Sequence, residues 1–354
     1  IDVNPTLSLS DQIDLQIRTT APISVATYMG LCLTHPTKGY YRAQNAVGAD
    51  GDFITAPEIS QMFGELIGFF LVNLWQQMDE PKPFTLLELG PGRGTLMADI
   101  MRVACRAPGF REAVQLRLFE TSPVLIAQQK QRLAAYDAQW IESFDQLGDT
   151  PLMVVANEFF DALPIRQFVR KDDGWHERQI GLADGQRVFG LSPTPIPAES
   201  MPPAAADAAP DSVFEVMSRL SRAIARQGGA MLAIDYGHAH SQTGETLQGV
   251  RNHAFADVLS DPGAVDLSAH VDFAVLGGAA RQAGLAAQPL VTQGEFLTRL
   301  GIGERASALA RANPEAAADV RLAEERLTSA QQMGELFKVF CAHSPGLVPP
   351  GFVA

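Results

Sequence analysis

Cysteine is scarce in this chain: Cys32, Cys105 and Cys341 are the only three, far apart and odd in number. No Cys-x-x-Cys occurs, so neither a disulfide framework nor a thiolate zinc site is indicated, and a reducing compartment is the natural setting. Positive charge is also in short supply, with 27 Lys and Arg against 40 Asp and Glu and a formal net charge of −13 at pH 7. That balance argues against a nucleic-acid partner, which needs a basic face to replace phosphate counterions. It argues equally against docking on an anionic membrane. A long hydrophobic run is missing too. The longest, around Leu66 to Leu74, is too short to span a bilayer and is broken by Gly68 and Asn73, so no membrane insertion is expected. No basic stretch followed by an apolar core opens the chain, so no secretory signal is expected there. It begins with Ile1 rather than Met, so a removed leader stays open.

What is present suits a folded enzyme. The 354 residues are 46% hydrophobic, enough for one large α/β domain with elaborations or for two domains. From Leu7 to about Met78 the pattern is mostly helical, over Asp11–Thr19, Ser24–Thr34 and Ser60–Met78, with Ser24 and Ser60 as N-caps. From Phe84 onward strands (Thr85–Leu89, Gln115–Glu120, Met153–Ala156, Ala230–Tyr236, and a short Gln139–Ile141) alternate with helices (Thr95–Cys105, Pro123–Ala135). That alternation predicts a doubly wound, mostly parallel sheet with crossover helices. Leu191 to Pro210, rich in Pro and Ala, reads as an insertion or loose surface connection. After Gly284 the chain reads as helical again, over Glu295–Leu300 and Glu304–Phe340. Three regions follow: residues 1–80, helical with a cofactor-covering segment; residues 81–290, the core with its insertion; and residues 291–354, C-terminal helices that serve packing or a homodimer.

Leu86-Leu87-Glu88-Leu89-Gly90-Pro91-Gly92-Arg93-Gly94-Thr95 is the most informative segment. Apolar residues lead into an acid, glycines fall at every second position, and a helix begins. Glycine tolerates positive φ and lets backbone lie against a ligand, to which the helix presents its first amides. A dinucleotide fingerprint needs a third glycine where Thr95 stands. Glu-x-Gly-x-Gly-x-Gly is instead the S-adenosylmethionine form, that ligand having an ammonium for Glu88 and no pyrophosphate. Glu88, Gly90, Gly92, Gly94 and Thr95 are therefore cofactor candidates. Glu120 ends the next strand, where an acid accepts both ribose hydroxyls, and Glu142 follows the short third strand toward the adenine.

A second polar cluster, Asn157-Glu158-Phe159-Phe160-Asp161-Ala162-Leu163-Pro164, follows an apolar strand and so lies at the mouth of the same pocket. Asn157, Glu158 and Asp161 are the catalytic candidates; helix capping by Asn157 with acids in a first turn is the plain alternative. No metal is expected. His238 and His240 are two residues apart with no third ligand indicated, and no nucleophile elbow or Ser/His/Asp set is marked.

At this point the residues resemble the MidA-like family, which includes a mitochondrial complex I assembly arginine methyltransferase. The matching segments are Pro22–Val25, His35-Pro36 with Gly39–Tyr41, Gly51–Glu65, Glu88–Thr95, Asn157–Pro164, Ile234–Gly237 and Asp266–Phe273, in order over most of the chain. The resemblance implies a class I S-adenosylmethionine-dependent methyltransferase fold with extra terminal helices and an insertion. It further implies transfer of methyl groups, with S-adenosyl-L-homocysteine as product, to an arginine of a quinone-proximal core subunit of NADH:ubiquinone oxidoreductase. The compartment would be the cytoplasm for a bacterial member, or the mitochondrial matrix where a leader has been removed. Gly51–Glu65 is expected to close over the cofactor, with Thr55, Pro57 and Glu58 against it; a fixed connection between helices is the alternative. Glu158 resembles in position the start of the acidic loop that holds arginine in better-known protein arginine methyltransferases, although their full double-glutamate hairpin is lacking. A small-molecule methyltransferase and a non-enzymatic S-adenosylmethionine-binding assembly factor fit the cofactor loop equally well.

Overall fold

The computed structural model describes residues 7–43, 55–197 and 213–352. The backbone of the fold is a central sheet of seven principal strands: β1 Phe84–Leu89, β2 Val114–Phe119, β3 Ala138–Ile141, β4 Leu152–Asn157, β5 Gly229–His238, β6 Ala286–Ala287 and β7 Phe337–His343. Their spatial order is β6-β7-β5-β4-β1-β2-β3. β3, β2, β1, β4 and β5 pair in parallel, and β7 runs antiparallel to β5 over its whole length. All six residues of β1 are buried, as a parallel strand covered on both faces requires. The class I α/β arrangement is thus the one observed.

Helices cover both faces. Near the N-terminus stand α1 Leu9–Thr19, α2 Val25–Thr34 and α3 Gln61–Gln77, followed along the core by α4 Thr95–Ala104, α5 Pro123–Arg132, α6 Val213–Gln227 and α7 Phe273–Gln282. One core layer joins α3 and α4 to the sheet through Phe63, Ile67, Ile100, Leu86 and Leu118; the other joins α6 and α7 through Met217, Leu220, Leu276, Val154 and Met231. α3 crosses α4 at very short range. A Cβ added at Gly64 would lie 2.5 Å from the Cβ of Asp99, and one at Gly68 would lie 2.9 Å from the carbonyl oxygen of Ile100. The crossing is locked by Glu65, which accepts from Arg102 of α4 and from both Nε and Nη2 of Arg305. Ser24 and Ser60 cap α2 and α3 as the sequence predicts.

Three features depart from the sequence reading. The predicted helix over Glu304–Phe340 is broken into α8 Ile302–Ala312, α9 Ala317–Thr328 and a four-residue turn of helix Met333–Leu336, and its end is strand: Phe337–Phe340 open β7. Alanine content suggested helix, whereas Phe-Lys-Val-Phe-Cys is buried on both sides in mid-sheet, where aromatic and β-branched residues pack well. The stretch after β4 also carries an antiparallel sheet that the reading missed, built from Phe168–Lys171, Gly174–Ala183, Gln186–Leu191 and the two-residue Ile23–Ser24. A small sheet of Gln248–Arg251, Ala254–Ala256 and Asp266–Ser268 lies nearby, and α1 and α2 pack with Ile180 and Leu267 in a third core layer rather than on the central sheet. Of the Pro- and Ala-rich stretch, residues 198–210 lie outside the described residues, as do Gly51, Asp52, Phe53 and Ile54 of the expected covering segment. Among the described residues no helix is long and apolar enough to cross a membrane.

Glu65 carries the first prediction. Glu65→Ala leaves two guanidinium groups, each about one-third exposed, without their shared carboxylate. Solvent screening reduces the loss, and about 2 kcal/mol of stability is expected, read as a lower denaturant midpoint at unchanged slope.

Candidate functional site

The strand order reverses between β1 and β4, with β2 on one side and β5 on the other, and ligands of open α/β sheets bind beyond the carboxyl ends at such a point. Leu89 of β1 lies opposite Ala156 of β4, so the two polar clusters leave the sheet side by side. Their loops touch. A Cβ at Gly90 would come within 3.0 Å of the Phe159 ring, and Gly90 itself has φ +59°, a region costly for any other residue. Gly92 and Gly94 also have positive φ, and Gly94 opens α4 without a side-chain cap. The first amides of α4 are therefore left to backbone, solvent or ligand.

Acids surround this loop. Glu88 is 2% exposed, and its Oε2 has no hydrogen-bond partner among the described residues. Burial, with the nearby Glu120 carboxylate adding to it, pushes the Glu88 carboxyl up to about 8. Glu120, just past β2, accepts from the amides of Thr121 and Ser122 at 2.8 Å and from Gln129 Nε2 at 3.2 Å. Burial raises its carboxyl as well, and those donors oppose the rise. Gln129 went unnoticed in the sequence, yet it is wholly buried. Its Nε2 also donates to the Gly92 carbonyl at 2.6 Å, and its Oε1 accepts from Trp140 Nε1 at 2.6 Å. It ties the glycine loop to Glu120 and to β3. No local motif marks it; only its place on α5, facing the loop, does so. Glu142 follows β3 but is exposed, and its amide goes to Gln146 Oε1.

The Thr55–Glu58 stretch lies across both loops. Thr55 precedes a short helix, Ala56–Ile59, in which Pro57 is buried. The Ala56 amide hydrogen-bonds Glu158. Glu58 accepts from the Thr95 hydroxyl, Thr95 Oγ1 accepts from Arg132, and Glu58 lies 3.9 Å from both Arg93 and Arg132. The side chains of Thr95 and Glu58 thus bind each other, which leaves the Thr95 amide as its group open to a ligand.

The second loop is built on strain and burial. Glu158 has φ +50°, an uncommon conformation for a non-glycine residue, and its amide donates to the Ile234 carbonyl of β5. Asn157 Nδ2 donates to Glu158 Oε1 at 3.0 Å, while Asn157 Oδ1 is buried without a partner among the described residues. Burial first, then the Asp161 carboxylate, push Glu158 up to about 8. Asp161 is pushed up to about 6 by burial, against the pull of the Tyr236 hydroxyl, which donates to Oδ2 at 2.5 Å. Its Oδ1 is buried and has no partner among the described residues. Asp235 holds the loop in place: Oδ2 accepts the amides of Phe160 and Asp161, and Oδ1 accepts that of Tyr236. Asp235 and Tyr236 belong to a segment that the family resemblance had marked, but as positioning groups they emerge only from the pairing of β4 with β5. Phe159 packs edge-on against Phe119 and Phe160 and forms an apolar wall between the two loops. Glycines that a side chain would clash in, an unpartnered buried acid and an uncapped helix start together fit an S-adenosylmethionine-type ligand. Among the described residues no three potential metal ligands converge.

The comparisons with known proteins point the same way. A family model described as "Putative S-adenosyl-L-methionine-dependent methyltransferase" matches residues 66–291. The chain is 36% identical to the mitochondrial protein arginine methyltransferase NDUFAF7 homolog of Drosophila melanogaster, covering 96% of this chain and 86% of that protein. It is 33% identical to the mitochondrial protein arginine methyltransferase NDUFAF7 of Homo sapiens, covering 95% of this chain and 83% of that one. A crystal structure from Burkholderia thailandensis with S-adenosyl-homocysteine bound superposes with a TM-score of 0.82 at 26% identity, covering 97% of this chain and 93% of that chain.

Two substitutions test the glycine loop. Gly90→Val should abolish S-adenosyl-homocysteine binding in a folded protein, since the new side chain meets Phe159 and the φ is penalised. Gln129→Leu should weaken binding about tenfold by releasing the Gly92 carbonyl and Glu120 together. Calorimetric titration reads both, and parental affinity in either variant would sink the assignment of this loop.

Proposed function

We propose, because the chain belongs to this S-adenosyl-L-methionine-dependent methyltransferase family, that it methylates an arginine side chain of a protein acceptor. The enzyme class and the cofactor follow from the family; the acceptor is our reading. Curated relatives named protein arginine methyltransferases support it. The observation that carries it is the pair of carboxyls, half-buried Glu158 and buried Asp161, beside the cofactor loop with unsatisfied polar atoms around them.

Bound S-adenosylmethionine supplies an electrophilic methyl on a sulfonium. Everything else falls to the chain. The N-terminal amides of α4 and the Glu88 and Glu120 carboxyls are suited to the methionine and ribose parts of the ligand. Guanidinium is always protonated and so a poor nucleophile. Glu158, oriented by Asn157 and the Ala56 amide, can accept two of its N–H groups and draw positive charge away from the reacting nitrogen. Asp161 Oδ1 is available to take the proton that the methylated nitrogen must lose. Phe159 and Phe160 keep water away. Buried carboxyls with raised values are a poor arrangement for an empty pocket and a good one for a cation, which restores their charge on arrival.

We further propose that the acceptor is a quinone-proximal core subunit of NADH:ubiquinone oxidoreductase, methylated during its assembly. The work would take place in the mitochondrial matrix or, for a bacterial chain, in the cytoplasm. Relatives with mitochondrial names favour the matrix. Incubation with methyl-labelled cofactor and that purified subunit, with methylarginine identified after hydrolysis, tests the reading. No label on arginine would return the chain to a small-molecule or non-catalytic role.

Glu158→Gln keeps the shape and removes the charge. S-adenosyl-homocysteine affinity should survive while methyl transfer falls on the order of 10²-fold or more. Loss of cofactor binding instead would move Glu158 into the cofactor site. The free enzyme also needs Glu158 ionised to grip a cation. With its carboxyl at about 8, kcat/KM should rise with pH up to that region. Glu158→Gln should flatten that limb, and a parental profile in the variant would assign the titration to another group.

A further inference from the structure

Beside the second loop lies a cleft of about 910 Å³. Phe160, next to the catalytic candidate Asp161, lines it together with His238, His270 and the loop Ser241–Thr246. Every residue from Pro164 to Arg170 lines it. Successive side chains of a strand point to opposite faces, so a cleft bordered by Phe168, Val169 and Arg170 together reaches around this strand's edge, and Trp175 and Arg178 of the paired strand line it as well. Phe168–Lys171 is the terminal strand of its sheet, paired with Gly174–Ala183 on one side and with no described strand on the other.

The ladder tells which groups that edge offers. The Arg178 amide donates to the Gln167 carbonyl at 2.7 Å, which makes those two a hydrogen-bonded pair. Antiparallel ladders alternate, so Val169 and Lys171 turn their backbone groups inward, toward His176 and Gly174. Phe168 and Arg170 turn theirs outward. An exposed edge of this kind is a template for another strand. Arg170 and Lys171 are exposed cations, which disfavours pairing with the same edge of a second copy and favours an acidic partner segment.

We propose that this edge docks the acceptor protein as an added β-strand, an extended segment with acidic residues near its arginine, and that the segment runs along the cleft to deliver the arginine past Phe160 and His270 to Glu158. This rests on the protein-acceptor reading above and narrows it: recognition is largely main-chain, so the target arginine lies in a stretch that is extended when the enzyme meets it, before or during assembly of its own fold. It also explains how a methyltransferase core could select a protein over a free guanidine compound. Backbone pairing supplies affinity that a small acceptor cannot reach.

Arg170→Pro tests the edge, because proline removes the outward amide without touching the inward ladder. With the quinone-proximal subunit as labelled acceptor, KM should rise about tenfold while kcat and S-adenosyl-homocysteine affinity stay near parental values. Arg170→Ala, which removes the charge and keeps the amide, should cost less. Parental KM in Arg170→Pro, or equal losses in the two variants, would overturn strand docking. Amide exchange of the unsubstituted enzyme gives an independent reading should the proline variant misfold. With S-adenosyl-homocysteine present, adding the subunit should slow exchange at Phe168 and Arg170 and leave Val169 unchanged; no protection at the first two refutes the proposal. If the parent enzyme labels no arginine at all, the arginine reading fails, while exchange protection still decides whether the edge binds the subunit.

Discussion

The in-register pairing of β1 with β4 is the constraint on which this molecule depends. Leu89 sits opposite Ala156, so the glycine loop and the acidic loop leave the sheet at one level and their contents meet across Phe159. Slipping that register by one residue would exchange the faces of β4 and carry the acidic loop away from the glycines. Several other features act as guarantors of this pairing. Asp235 binds the amides of the acidic loop from β5, Gln129 binds the glycine loop from α5, and the tight α3–α4 crossing fixes the helix that the glycine loop starts.

The electrostatics follow from the same geometry. Four carboxyls, those of Glu88, Glu120, Glu158 and Asp161, are gathered at the carboxyl end of the sheet, and burial raises all four. Such a cluster costs stability in the empty protein, and the fold offsets part of that with backbone amides, the Tyr236 hydroxyl and, near Glu120, the Arg42 guanidinium. An arginine paired directly with Glu158 or Asp161 would neutralise those acids and remove their attraction for a cationic ligand. Elsewhere, Glu65 joins Arg102 and Arg305 where α3 crosses α4.

What could be read in the sequence was whatever depends on local chemistry. The glycine spacing after an apolar strand, the serine caps of α2 and α3, and the acids ending β1 and β2 are local signals, and each stands where the sequence puts it. What escaped depends on distant partners. Gln129 looks like any helix-surface glutamine until α5 packs against the glycine loop. Phe337–Phe340 follows alanine-rich helices and becomes strand because β5 offers it an edge along its whole length. The antiparallel hairpins between β4 and β5 are half-exposed and carry charges on both faces, so neither a clean alternation nor an apolar run announces them.

The Thr55–Glu58 stretch shows how two binding events can be made to depend on each other. Its Ala56 amide reaches Glu158, the carboxyl proposed to hold the acceptor, and two residues later Glu58 reaches Thr95 at the start of α4 and approaches Arg93 and Arg132. The two ends are joined by Pro57, which limits the independent movement of either. A ligand that orders the first turn of α4 therefore also settles the partner of Glu58, and through Pro57 the amide that orients Glu158. Binding free energies linked in this way are reciprocal: whatever the cofactor gains for the acceptor site, an acceptor cation must return to the cofactor site. For the proposed reaction between two cations, sulfonium and guanidinium, that linkage has a use. Their mutual repulsion opposes simultaneous binding, and a shared element that each ligand helps to order offsets part of it.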